Sequence, residues 1–155
     1  MTRFRRTARG FSLIELIVVI ALIAIQTAIA VPSYQTFMVR SRLKGAARQV
    51  MSDLMNARMM AVSLNQNVKV HVEGDGHTYR IWSDANHDGT VASNEGVNIS
   101  KDIHQDYHDV ALSTTNDPIF NPRGAASQFG TVTVTNSAGS RDITVAISGR
   151  VAVSN

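Results

Sequence analysis

The sequence has no cysteine, only three prolines among 155 residues, and aromatic side chains at only 6% of positions. Disulfides and thiol chemistry are excluded, and with them any reading of the redox compartment. Charged residues make up 17% of the chain, and the formal net charge of +3 is misleading. Arg3, Arg5, Arg6 and Arg9 are four of the fifteen basic residues, so the chain after Gly10 carries eleven basic against twelve acidic groups. A body so close to neutral gives no electrostatic case for binding nucleic acid, whose affinity rests largely on neutralised phosphates. A phosphate-cradling glycine loop, a nucleophile–base pattern and paired catalytic carboxylates are also missing, so no enzyme is expected. The length suits one domain with an appended element and excludes two large domains.

What the sequence does contain is a concentrated apolar run. Residues from Phe11 to Val31 are interrupted only by Ser12, Glu15, Gln26 and Thr27. As a helix they would extend roughly 31 Å, enough to cross a hydrocarbon layer of about 30 Å. A cleaved secretory signal is the rival reading, because basic residues precede the run and Ala28-Ile29-Ala30 resembles a small-residue cleavage site. Against it, the run exceeds a typical signal core of about 7 to 15 residues, carries a carboxylate, and is followed by more helical pattern beyond Pro32. Arg40, Arg42, Lys44 and Arg48 balance the leader arginines, so charge counting alone does not orient the helix. Long domains translocate largely regardless of charge, which places the short N-terminus in the cytoplasm and the bulk outside. Glu15 is the informative residue: an ionisable group in an apolar helix costs a few kcal/mol unless it snorkels to the headgroups or finds a partner.

The string Gly10-Phe11-Ser12-Leu13-Ile14-Glu15 follows an arginine-rich leader and precedes an apolar run ending Ala30-Val31-Pro32-Ser33-Tyr34. This resembles the class III signal of type IV pilins and type II secretion pseudopilins. The resemblance implies that a prepilin peptidase removes residues 1–10 by cutting after Gly10 and that the new N-terminus, Phe11, is methylated. It also implies that Glu15 pairs with the terminal amine of a neighbouring subunit. The physics agrees, since a carboxylate and an ammonium in hydrocarbon are each costly alone and much less so together. The expected partners are therefore the peptidase, the inner membrane, and other pilins or pseudopilins in a filament, with the C-terminal part in the periplasm.

Pro32 is expected to kink or loosen the helix without ending it. Beyond it, Val39, Leu43, Ala47, Val50, Leu54, Ala57, Ala61 and Leu64 keep one face at alternating steps of three and four, which predicts a second, amphipathic helical stretch over 35–64. Arg40, Arg42, Lys44, Arg48, Asp53, Asn56 and Arg58 fall mostly on other faces, as a solvated side requires, and Gly45 reads as a weak point. The methionines at 38, 51, 55, 59 and 60 read as adaptable packing. The small alanines suit a helix lying beneath a sheet, and a dimeric coiled coil is the other arrangement the spacing permits.

After Asn67 the period changes to two. Val68, Val70 and Val72 alternate with polar residues, and Tyr79 to Trp82 follow a Gly74-Asp75-Gly76 turn, which predicts a hairpin. Further strands are expected at Val97–Ile99, Val110–Ser113, Thr131–Thr135, Ile143–Ile147 and Val151–Val153, giving an α+β fold in which a long N-terminal helix packs on an antiparallel sheet or sandwich over 65–155. The helix passage from Leu43 through Arg58 and Val62, the segment Ile119-Phe120-Asn121-Pro122-Arg123-Gly124, and the closing Arg141–Val145 and Gly149-Arg150-Val151 are similar to the GspH/FimT branch of pseudopilins and minor pilins.

Two further patterns bear on ligands. Asp84 to Glu95 fits the twelve-residue calcium loop, with oxygens from Asp84, Asn86, Asp88, Thr90 and Glu95 and a sharp turn at Gly89. A strand precedes it rather than a helix, so an Asx- and Gly-rich turn without an ion remains the other reading, and no cofactor is required. His104 and His108 stand four apart among Asp102, Asp106 and Asp109, and read as a solvated connection rather than a zinc site. The resulting expectation is a non-catalytic minor subunit of a secretion pseudopilus or a type IV pilus. The alternatives are an ordinary secreted β-domain protein and a FimT-like pilin that takes up DNA. The latter would use a basic GRxR element, which here reads Gly149-Arg150-Val151-Ala152, with alanine in the second basic position.

Overall fold

The computed structural model describes residues 10–93 and 95–154. The leader expected over residues 1–10 therefore lies, apart from Gly10, outside the described residues. One helix, α1 (Leu13–Leu64), supplies the first fifty-two residues of regular structure and runs through Pro32 without a break. Chain contacts divide the protein into a first unit ending at Phe37 and a second running from Met38.

In the first unit, every side chain from Gly10 to Phe37 is exposed, including Phe11, Leu13, Ile14 and Ile29. The segment is long and apolar enough to cross a membrane. Its hydroxyls are satisfied within the helix: Thr27 donates to the carbonyls of Ile23 and Ala24, and Thr36 to those of Pro32 and Ser33. Such back-bonding lets a polar side chain sit on a helix in an apolar medium without an unpaired donor.

Among the described residues of the second unit, the remainder of α1 lies against nine antiparallel strands in two sheets. The first sheet has the order β3 (Asn98–Asp102), β2 (Thr78–Ser83), β1 (Val68–Val72), β5 (Ile119–Phe120) and β6 (Ala126–Gln128). The second has the order β4 (Ala111–Thr114), β7 (Gly130–Asn136), β8 (Gly139–Val145) and β9 (Val151–Ser154). A one-turn helix, η1 (Ile103–Gln105), joins β3 to β4 and is capped by the Asp102 carboxylate accepting from the His104 N–H. The β1–β2 hairpin pairs Val70 with Ile81 and Val72 with Tyr79, as the alternation predicts.

The core forms where the α1 stripe meets the inward faces of both sheets. Leu43, Ala47, Val50, Leu54, Ala57 and Ala61 are buried with Val68, Val70, Ile81, Phe120, Val132, Val134, Ile143 and Val145. The outermost members of the predicted stripe fall outside this contact: Val39 is half-buried and Leu64 is exposed. The alanines matter because a small side chain lets the helix backbone approach the sheet closely, so the contact is filled mainly by sheet valines and Phe120.

Several expectations change. Gly45 is not a weak point but a space for a ring: a Cβ there would lie 2.7 Å from Tyr107 Cε1, so the helical cost of glycine is offset by the aromatic packed on it. Asp53, placed on the solvated side by the sequence, is buried and accepts hydrogen bonds from the Tyr79 hydroxyl and the Lys101 ammonium. Arg42 is not simply solvated either, since it forms a forked pair with Asp109 at 2.7 and 3.2 Å. Burial acts to raise the Asp109 carboxyl, but the guanidinium outweighs it and the pKa is held below the ordinary value. The strand expected to reach Ile147 ends at Val145, leaving Ile147 exposed, and the short pair β5–β6 had no periodic signature to announce it.

Candidate functional site

At the N-terminal end, Ser12 stands immediately before α1, and its hydroxyl accepts the Glu15 N–H at 3.2 Å. This is an N-cap, and the Ser-x-x-Glu spacing is a signal that the sequence reading passed over. The cap places Glu15 in the first turn of the helix, where the unpaired amides favour a negative group. Among the described residues no side chain forms an ion pair or hydrogen bond with the Glu15 carboxylate. Gly10 and Phe11 precede the helix, both exposed, with the Phe11 side chain at 85% of full exposure.

Three stretches far apart in sequence meet at the other end of α1. Arg58 donates its Nε–H to the Gly124 carbonyl at 2.7 Å. Gly149 approaches the same carbonyl so closely that a Cβ on it would lie 1.9 Å from the oxygen, and its φ of +77° is one that only glycine adopts freely. The turn before Gly124 is fixed by the Asn121 side chain, which accepts from the amides of Arg123 and Ala125. Around this latch lies an open cleft of about 550 Å3 lined by Met55, Met59 and Val62 with Arg58, Arg123 and Arg150. Arg150 is thus one of three arginines at a single place, a grouping no local pattern announced. Met51 and Met60 pack on the core as expected, whereas Met55 and Met59 are exposed on this cleft.

The loop from Asp84 to Glu95 connects β2 to β3 and closes on itself. The buried Asp84 carboxylate accepts the amides of Asp88 and Gly89 at 3.2 and 3.0 Å, and Glu95 accepts that of Asn86 at 2.9 Å. Asn86 accepts from the Asp88 amide and Asp88 from the Thr90 amide, while Gly89 takes a φ of +86°. The five residues named from the sequence are therefore gathered in one turn of chain.

Two comparisons of sequence bear on these sites. Residues 5–31 match the model of the prokaryotic N-terminal methylation motif, and residues 46–149, more than half of the chain, match the family described as type II transport protein GspH. The chain belongs to the GspH family. Over 42 residues it is 48% identical to the fimbrial protein EcpC of Eikenella corrodens, a match spanning 27% of this chain and 28% of that protein. Among solved structures it is similar to the type IV minor pilin FimU of Pseudomonas aeruginosa, with a TM-score of 0.58 and 19% identity over 77% of this chain and 92% of that one. It is also similar to the minor pseudopilin EpsH of the Vibrio cholerae type 2 secretion system, with a TM-score of 0.55 and 11% identity over 73% and 96% of the two chains. At these identities the likeness is one of fold: a long helix on antiparallel sheets.

Within this GspH-family fold, His108 is exposed, and the ring of His77, from the β1–β2 turn, stacks on that of His104 with centroids 4.4 Å apart. No sequence spacing joins those two residues; the antiparallel pairing of β2 with β3 does.

Proposed function

We propose that this GspH-family chain is a non-catalytic minor subunit of a type II secretion pseudopilus or type IV pilus. In this reading it is held in the inner membrane by its first unit with its second unit in the periplasm, cleaved after Gly10, methylated on Phe11, and assembled through α1. The observation that carries the reading is a helix whose first half covers none of its apolar surface within the chain, and whose first-turn carboxylate, Glu15, has no partner among the described residues. Lipid covers such a surface before assembly and neighbouring helices cover it afterwards. Both surroundings are apolar, so the net gain from burial is small and a polar pairing sets the register.

The test is Glu15→Gln in cells that otherwise assemble filaments. Loss of one partner of a buried ion pair costs about 3 kcal/mol, so incorporation should fall about a hundredfold while membrane-bound, cleaved protein persists at normal level. Filaments carrying the variant at the normal proportion would overturn the pairing. Mass spectrometry that finds an intact initiator methionine, or a start near Val31, would overturn the processing.

The self-closed loop supports a second reading, in which Asp84, Asn86, Asp88, Thr90 and Glu95 bind calcium, since the hydrogen bonds that close it, with Asp84 and Glu95 accepting backbone amides from within the loop, hold these residues in one turn of chain. Millimolar Ca2+ is expected to raise the melting temperature of the full chain in detergent, and Glu95→Gln to abolish the rise. An unchanged melt of the unsubstituted chain would retire the calcium reading.

A further inference from the structure

Among the described residues, the one set of three metal-ligating side chains whose donor atoms all lie within 4.8 Å of one another is His77, Asp102 and His104. It sits where the β1–β2 turn meets the end of β3 and η1, and the backbone joins them there: the Ile103 N–H donates to the His77 carbonyl at 2.9 Å. Asp102 Oδ1 holds the His104 amide at 2.8 Å and faces His77 Nδ1 at 3.1 Å.

The hydrogen bonds fix which nitrogens are free. His104 Nε2 lies 2.8 Å from the Val110 carbonyl oxygen, which can only accept, so Nε2 carries the proton and the neutral ring presents a bare lone pair at Nδ1. A backbone carbonyl holding one ring nitrogen while the other points to a cation is the usual orientation of a ligating histidine. His77 has a carboxylate at each nitrogen, Asp102 at 3.1 Å and Asp75 at 3.6 Å. A neutral imidazole has one N–H to give, so with that proton at Nε2 toward Asp75 the Nδ1 lone pair stands beside Asp102 and the Thr78 hydroxyl, 3.3 Å away, where a cation can take it.

We propose that His77, His104 and Asp102 form a binding site for a divalent transition-metal ion of the zinc class, with water completing its coordination. Two imidazoles and a carboxylate suit such an ion, whereas calcium takes oxygen ligands alone. Ligation draws His77, about one-third exposed, out of its stack on His104 so that both rings turn their lone pairs to one point. The ion would tie the β1–β2 turn to the β3–η1 junction, next to the segment whose Tyr107 and Asp109 grip α1. This goes beyond filament assembly and uses none of the assembly residues or the Asp84–Glu95 loop.

The experiment is titration of chelator-stripped full chain in detergent with Zn2+ by calorimetry and with Co2+ by visible absorption. One saturable site with a micromolar constant and a tetrahedral Co2+ spectrum is expected, with a higher melting temperature. His77→Phe keeps a ring in the stack and His104→Gln keeps a donor for the Val110 carbonyl. In each, affinity should fall by more than the roughly 10- to 100-fold that loss of an outer partner costs, while His71→Ala and His108→Ala leave it unchanged. The proposal is overturned by the absence of saturable binding in the unsubstituted chain. Binding unaltered in both His77→Phe and His104→Gln would overturn it equally.

Discussion

Gly149→Ala is expected to destabilise the second unit by about 3 kcal/mol, combining the cost of a side chain at positive φ with that of forcing a methyl into a filled site. The backbone there has φ +77°, and the added Cβ would fall 1.9 Å from the Gly124 oxygen, a backbone atom that cannot swing aside as a side chain can. Relief requires moving Gly124 away from Arg58, whose Nε–H would lose its acceptor, so the strain spreads into the closure between helix and sheet. Chemical denaturation of the full chain in detergent measures this. Gly74→Ala is the control, because its Cβ meets nothing within 4 Å at an ordinary φ, and it should shift the midpoint little. Equal midpoints for the two variants would show that the latch contributes nothing.

Asp53→Ala carries the second large effect, again about 3 kcal/mol, because it leaves the buried Tyr79 hydroxyl without an acceptor and strips Lys101 of its counter-charge. Replacing both members by apolar groups should recover much of the loss, so Asp53→Leu combined with Tyr79→Phe is expected to be more stable than Asp53→Leu alone. The tyrosine adds a pH signature. Burial first, then the hydrogen bond and charge of Asp53, push the Tyr79 pKa far above its ordinary value of 10.0. The folded-state pKa is raised, so this contribution is complete below about pH 10, where both states hold the proton. It is lost as pH rises above that, because the unfolded chain releases a proton that the folded chain keeps. Stability should therefore fall more steeply in alkali for the natural chain than for Tyr79→Phe; identical alkaline profiles would contradict the burial of this hydroxyl.

The strands that could be read from the sequence were those with one face in the core. Val68, Val70 and Val72, and likewise Val132 and Val134, alternate because one face of each strand is buried, and a period of two survives any detail of packing. The β5–β6 pair is too short to show a period and is held by a bulged register and by the Ala126 amide bonding to the Ile147 carbonyl, a contact between distant segments. The same distinction separates Leu54 from Asp53. Both are buried on α1, but an apolar residue on a stripe declares itself, whereas a buried carboxylate depends on Tyr79 and Lys101 arriving from other strands.

The sequence by itself determined the apolar N-terminal helix, the position of its carboxylate, the core-facing stripe that follows and the family to which the chain belongs. Each of these is written in neighbouring residues or in a short period, and local chemistry is enough to fix it. Tertiary structure alone decided that Arg58, Gly124 and Gly149 share one latch, that Asp53 is buried, and that His77 rather than His108 stands beside His104. Those contacts join residues brought together by strand pairing and by the closing of sheet on helix, and no spacing along the chain encodes a distance across it.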